Sequence, residues 1–101
     1  MRKVRLSSNA RGDLTSILEY LAAAESPSTA LRLVGRLEAA CDELSDRSLM
    51  YALVPNHEHT GVRRRVVARY GIFYVVRDDH VDVLQILHSA RDHERILFPE
   101  D

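Results

Sequence analysis

The sequence predicts an α+β fold in the order βααβββ, with an N-terminal strand, a helical hairpin and then a three-stranded antiparallel meander, the helices lying on one face of the sheet. Three runs in the last third carry the sheet: Val62 to Ala68, Ile72 to Arg77 and Val81 to His88 are rich in Val, Ile, Tyr and Phe, which suit a pleated, half-buried surface. Tyr70-Gly71 and Asp78-Asp79-His80 punctuate these runs as tight turns, so an antiparallel meander connects them most economically. Upstream, two apolar stripes recur at helical spacing with very little chain between them.

Lys3-Val4-Arg5-Leu6 alternates and forms the first strand. Ser7 and Ser8 are N-cap candidates, because a hydroxyl there accepts a bond from an otherwise orphan N–H of the coming helix. Ala10, Leu14, Ile17, Leu18 and Leu21 then define one buried stripe, and the helix runs to about Ala24. Ser26 caps a second helix that opens with Pro27, where a missing N–H and a fixed φ do no harm. Its stripe is Ala30, Val34, Leu37, Cys41 and Leu44, and Arg32, Arg36, Glu38, Asp42, Glu43 and Asp46 form a solvated outer face. Between Ser48 and Thr60 the chain fits neither period; Leu49, Met50, Tyr51, Leu53 and Val54 are apolar enough to drape over the core before Pro55-Asn56 turns it. Ala90 to Leu97 is one or two amphipathic helical turns ended by Pro99. Tyr20 and Tyr74 read as core aromatics.

The first strand of the meander places Val62, Val66 and Ala68 on one face and Arg63, Arg65 and Arg69 on the other. Arg64 falls on the apolar side, where it must lie near an edge, snorkel or meet a carboxylate. The next two runs are apolar on both faces, so both faces are covered. The helices supply one cover, and the other points to a partner.

At 101 residues, 46% hydrophobic and 29% charged, the chain is read as one ordinary globular domain spanning residues 1–101. No apolar stretch approaches the roughly 20 residues of a membrane span, and no apolar segment follows Met1 to Arg5 to make a signal peptide, so a cytoplasmic protein is expected. The single Cys41 has no internal disulfide partner and sits at core spacing. His57 and His59 flank Glu58, but no further ligand stands nearby, so neither a metal nor any other cofactor is expected.

Leu6-Ser7 followed by Asp13-Leu14, Ile17 and Tyr20, the helix end Leu37-Glu38-Ala39-Ala40, the run Arg69-Tyr70-Gly71-Ile72-Phe73-Tyr74-Val75-Val76 and the ending Leu87-His88-Ser89-Ala90-Arg91-Asp92 resemble the ParE branch of the RelE/ParE toxins of bacterial type II toxin–antitoxin systems. The resemblance implies a toxin held inactive in a hetero-oligomer by a ParD-like antitoxin, with DNA gyrase as target and with DNA touched only through the antitoxin. It leaves open a RelE-like alternative, a ribosome-dependent messenger-RNA endoribonuclease, and an inactive antitoxin-binding module.

Residue chemistry bears on that choice. Cutting RNA at a 2′-hydroxyl needs a base, cations for the developing phosphorane charge and an acid for the leaving oxygen. Arg65, Arg69, His88 and Arg91 are the candidates, and the resemblance puts Arg91 near the RelE-like catalytic arginine. Against that reading, no lysine follows Lys3 and no tyrosine follows Tyr74. The formal net charge is −1 and the pI about 6.5, whereas a protein docking among ribosomal RNA gains affinity by neutralising phosphates. The basic stretch Val62 to Arg77 holds five arginines and no carboxylate. Arg63, Arg64, Arg65, Arg69 and Arg77, with Arg91, are therefore the candidate partner-binding residues. The bland readings stay beside these: a solvated strand face for Arg63 to Arg65, a satisfied histidine for His88 and a local Arg91-Asp92 pair.

Overall fold

The computed structural model describes residues 1–100. The chain forms β1 (Lys3–Leu6), α1 (Ser8–Ala24), α2 (Pro27–Asp42), a short α3 (Leu44–Arg47), a 3₁₀ turn (Glu58–Thr60), β2 (Val62–Val67), β3 (Tyr70–Val76), β4 (His80–His88) and α4 (His93–Leu97). The sheet order is β1-β4-β3-β2. The meander β2-β3-β4 is antiparallel, and β1 lies parallel to β4 with Lys3 opposite His80 and Leu6 opposite Val83. This is the α+β arrangement expected from the sequence, helices on one face of the sheet.

Both helix starts use the expected caps. The Ser7 hydroxyl accepts from the Ala10 N–H at 3.0 Å, and the Ser26 hydroxyl accepts from the Thr29 N–H at 3.1 Å ahead of Pro27. Ser7 also closes the sheet edge where β1 ends: its N–H donates to the Val83 carbonyl at 2.9 Å and its hydroxyl donates to the Leu84 carbonyl at 2.6 Å. One turn later Asp13 continues the task, accepting from the Ile86 N–H at 2.8 Å. Backbone groups of β4 that lie beyond the four-residue β1 thus find side-chain partners instead of a strand.

The main core fills the space between hairpin and sheet. Leu14, Ile17, Leu21, Ala30, Leu37, Cys41 and Leu44 meet Ile72, Tyr74, Val81, Val83 and Ile86 there. Burial pushes the Cys41 thiol up to about 11 and the Tyr74 phenol to about 12, and the Tyr74 hydroxyl donates to the Ser48 carbonyl at 2.7 Å.

The second face of the sheet is covered by the chain itself, which corrects the inference that its cover belongs to a partner. Val54, Val62, Phe73, Val75 and Leu87 form a second buried cluster, roofed by Leu84, Ile96, Leu97 and Phe98. The 48–60 segment contributes Val54 and the tail contributes the roof, and two ring stacks lock them: His57 on Phe98 at 4.0 Å and His93 on Phe73 at 5.2 Å. Buried His57 also meets Glu94 at 3.2 Å. The Phe73 ring lies across the backbone of Gly71, where an added Cβ would approach it to 2.8 Å.

Two expected boundaries move. Tyr70-Gly71 is strand, and the turn is Ala68-Arg69, closing a two-residue hairpin in which Val67 faces Tyr70. Both turn residues have positive φ, 50° and 71°, as a primed turn requires and as non-glycine residues rarely adopt. Aromatic burial outweighs the turn signal of Tyr-Gly, because Tyr70 packs in the main core. Tyr20, expected in the core, is 68% exposed at the helix surface.

Candidate functional site

The end of the sheet at the β2–β3 turn and the C-terminal half of α1 enclose a groove of about 650 Å³. Its floor is apolar, made by Ile17, Leu21, Leu33, Tyr70, Ile86 and Leu87. Tyr20, Asp13, Ser16 and Glu25 line the helical side, and Ala68, Arg69, His88, Ala90 and Arg91 line the sheet side. Each rim follows from local structure. The primed turn lifts Arg69 to the mouth, its carbonyl held by the Ser89 N–H at 2.8 Å, and the chain leaving β4 brings Arg91 beside it.

His88 stands edge-on to Tyr70, ring centroids 5.2 Å apart at 90°. Its Nδ1 accepts from the Ala90 N–H at 3.0 Å, which places the proton of the neutral ring on Nε2. Burial raises the Tyr70 phenol, with Tyr20 and Glu25 adding to the shift. Burial likewise raises Asp13, against the bonds from Ile86 and Gln85 and the attraction of Arg91. The groove therefore pairs an apolar floor with a basic rim on one side and carboxylates on the other.

Of the candidate residues, the fold brings Arg69, His88 and Arg91 together here. Arg65 is elsewhere: it donates to Glu43 at 2.7 Å and to the Ala40 carbonyl at 2.9 Å, and lies over the Tyr51 ring at 5.0 Å. Its partner Glu43, held below the usual carboxylate range by that bond, is thus not merely a solvated surface charge. Arg63 donates to the Tyr51 carbonyl at 2.6 Å, and Arg77 pairs with Asp82 at 3.1 Å. Arg64 sits half-buried on the edge strand, its stem over Gly71, in keeping with the edge or snorkelling placement expected of it. Asp92 caps α4 through the Arg95 N–H at 3.3 Å, so it is not the local partner of Arg91. Sequence reasoning missed Asp13, Glu25 and the groove-facing tyrosines, because only the tertiary approach of α1 to the β4 end makes them neighbours of the arginines.

A sheet of this order with a helical hairpin on one face defines a protein of the RelE/ParE toxin architecture. The chain belongs to the ParE toxin family of type II toxin–antitoxin systems (parDE), whose family model matches residues 4–93. Its fold is similar to the chromosomal ParDE toxin–antitoxin system from P. aeruginosa, with a TM-score of 0.76 at 20% identity, covering 87% of this chain and 96% of that one. It is also similar to the toxin–antitoxin complex RelBE2 from Mycobacterium tuberculosis, with a TM-score of 0.59 at 24% identity over 86% and 96% of the two chains. A conserved hypothetical protein from Helicobacter pylori matches with a TM-score of 0.56 at 16% identity over 90% and 98%. The comparison with curated proteins finds no match.

Proposed function

We propose that this ParE-family chain acts by binding: it inhibits DNA gyrase and is neutralised in a hetero-oligomer by a ParD-like antitoxin. The observation that carries the reading is the division of labour among the arginines. Arg63, Arg65 and Arg77 are spent inside the fold, while Arg69 and Arg91 stand on the rim of an apolar groove. An apolar surface with a charged rim is what a protein interface needs. Arg64, Arg69 and Arg91 are the partner contacts of this reading. The similarity to solved ParDE and RelBE2 systems supports an antitoxin as partner.

The second reading, a RelE-like ribonuclease, is favoured by one observation, the meeting of Arg69, His88 and Arg91 in that groove. It is disfavoured by the commitment of Arg65 to Glu43 and Ala40. Induced expression without antitoxin separates the two. Gyrase inhibition yields DNA-damage signalling and double-strand breaks while translation continues at first, and ribosome profiling that shows cuts at fixed codon positions overturns it. An inactive antitoxin-binding module arrests nothing.

A further inference from the structure

Two properties of the groove are not explained by folding. Arg69 and Arg91 both line it, and neither guanidinium has a hydrogen-bond or ion-pair partner among the described residues; Arg91 acts on Asp13 only through its field. The backbone that delivers Arg69 is also conformationally expensive, with φ 50° at Ala68 and 71° at Arg69, where Asn-Gly would form the same turn without strain. Strained non-glycine backbone persists where a side chain is needed in place.

We infer that the groove is the docking site for an apolar peptide segment of a partner protein, one that carries a carboxylate to lie between Arg69 and Arg91. Its apolar side chains seat on Ile17, Leu21, Tyr70 and Ile86, and its acidic group supplies the counter-charge that both guanidiniums lack. A groove of about 650 Å³ accommodates a few side chains rather than a whole domain face. Charge complementarity chooses peptide over nucleic acid: a polyphosphate chain would face Asp13 and Glu25 across the groove, whereas a segment with one or two acidic residues addresses only the basic rim. This assignment rests on the binding reading of the toxin and names the chemistry of its partner.

The test is selection of a phage-displayed random 12-residue peptide library on the full chain, followed by titration of the selected peptides by fluorescence polarisation. The expected peptides combine Leu, Ile or Phe with Asp or Glu, and Arg69→Ala and Arg91→Ala each weaken them at least about tenfold, because a desolvated charge pair is broken. Arg36→Ala, an exposed change on α2, leaves binding as it was. Arg69→Gly is the decisive variant: it relieves the turn, so it raises the melting temperature while still losing the peptide, a combination that a purely structural arginine does not give. Selected peptides without acidic residues, or insensitive to both arginines, overturn the proposal while leaving the partner-binding reading intact. A single-stranded oligodeoxynucleotide that binds through the same two arginines and displaces the peptides overturns it in favour of nucleic acid. Failure of expression to arrest growth sinks the toxin reading but not the groove's peptide chemistry.

Discussion

Arg65 of β2 reaches across to Glu43 at the end of α2 with a contact of 2.7 Å, and the same guanidinium donates to the Ala40 carbonyl at 2.9 Å. One side chain thereby ties the edge of the sheet to the helical layer. It is only 16% exposed, whereas Glu43 is 45% exposed, so the bond to the helix carbonyl and the contact with Tyr51 outweigh the ion pair.

Arg65→Ala is therefore expected to lower stability by about 1–3 kcal/mol, mostly by leaving the Ala40 carbonyl without its donor. Glu43→Gln should lower it less. Because Glu43 has a depressed folded-state pKa, its contribution is fully present above its ordinary value of 4.5 and fades as pH falls through the folded value. Urea melts at pH 7 and below pH 4 check both magnitude and direction; an Arg65→Ala protein as stable as the parent removes the tie.

The primed turn offers the opposite sign. Ala68→Asn and Arg69→Gly each replace a residue held at positive φ by one that tolerates it, and each should raise stability by about 1 kcal/mol. Thermal melting of the two variants measures this. No gain in either would mean that the turn is not strained.

Asp13 distinguishes loss of an acceptor from loss of a charge. Asp13→Ala leaves the Ile86 N–H unpaired and should cost about 1–3 kcal/mol. Asp13→Asn keeps an acceptor there and removes a carboxylate whose pKa burial has raised. A raised acid weakens the fold above its folded pKa, so the Asn variant should equal or exceed the parent at pH 7, and the gap should close as pH falls below the ordinary value of 3.8. A gap that widens in acid would contradict this sign.

Tail truncation should act on the fold before it acts on a partner. Ile96, Leu97 and Phe98 roof the second cluster, and Phe98 stacks on His57, so Phe98→Ala should cost about 1–2 kcal/mol in lost burial and ring contact. Deleting the three residues should increase binding of a hydrophobic dye and lower the melting temperature. A truncated chain that melts like the parent would return these residues to the partner-contact role suggested by sequence.

Local signals in the sequence determined most of the architecture. Period 3.6 marked the stripes of α1 and α2, Ser7 and Ser26-Pro27 marked their starts, and the Val- and Tyr-rich runs marked the meander, because caps and periodicity act over a few residues and are written in composition. Arg69, His88 and Arg91 were legible as candidates for the same reason, being polar residues that punctuate strand ends. What only the tertiary structure decided depends on which faces meet. Arg65 could be told from Arg69 only once β2 was placed beside α2, since the two share a strand face by count. The tail could be assigned to the second sheet face only once Phe98 lay on His57, since an amphipathic end serves its own core and a partner's surface equally well. The groove itself had no sequence signature, because burial of Ile17 and Ile86 and the approach of Asp13 to Arg91 are products of chain closure over more than 70 residues.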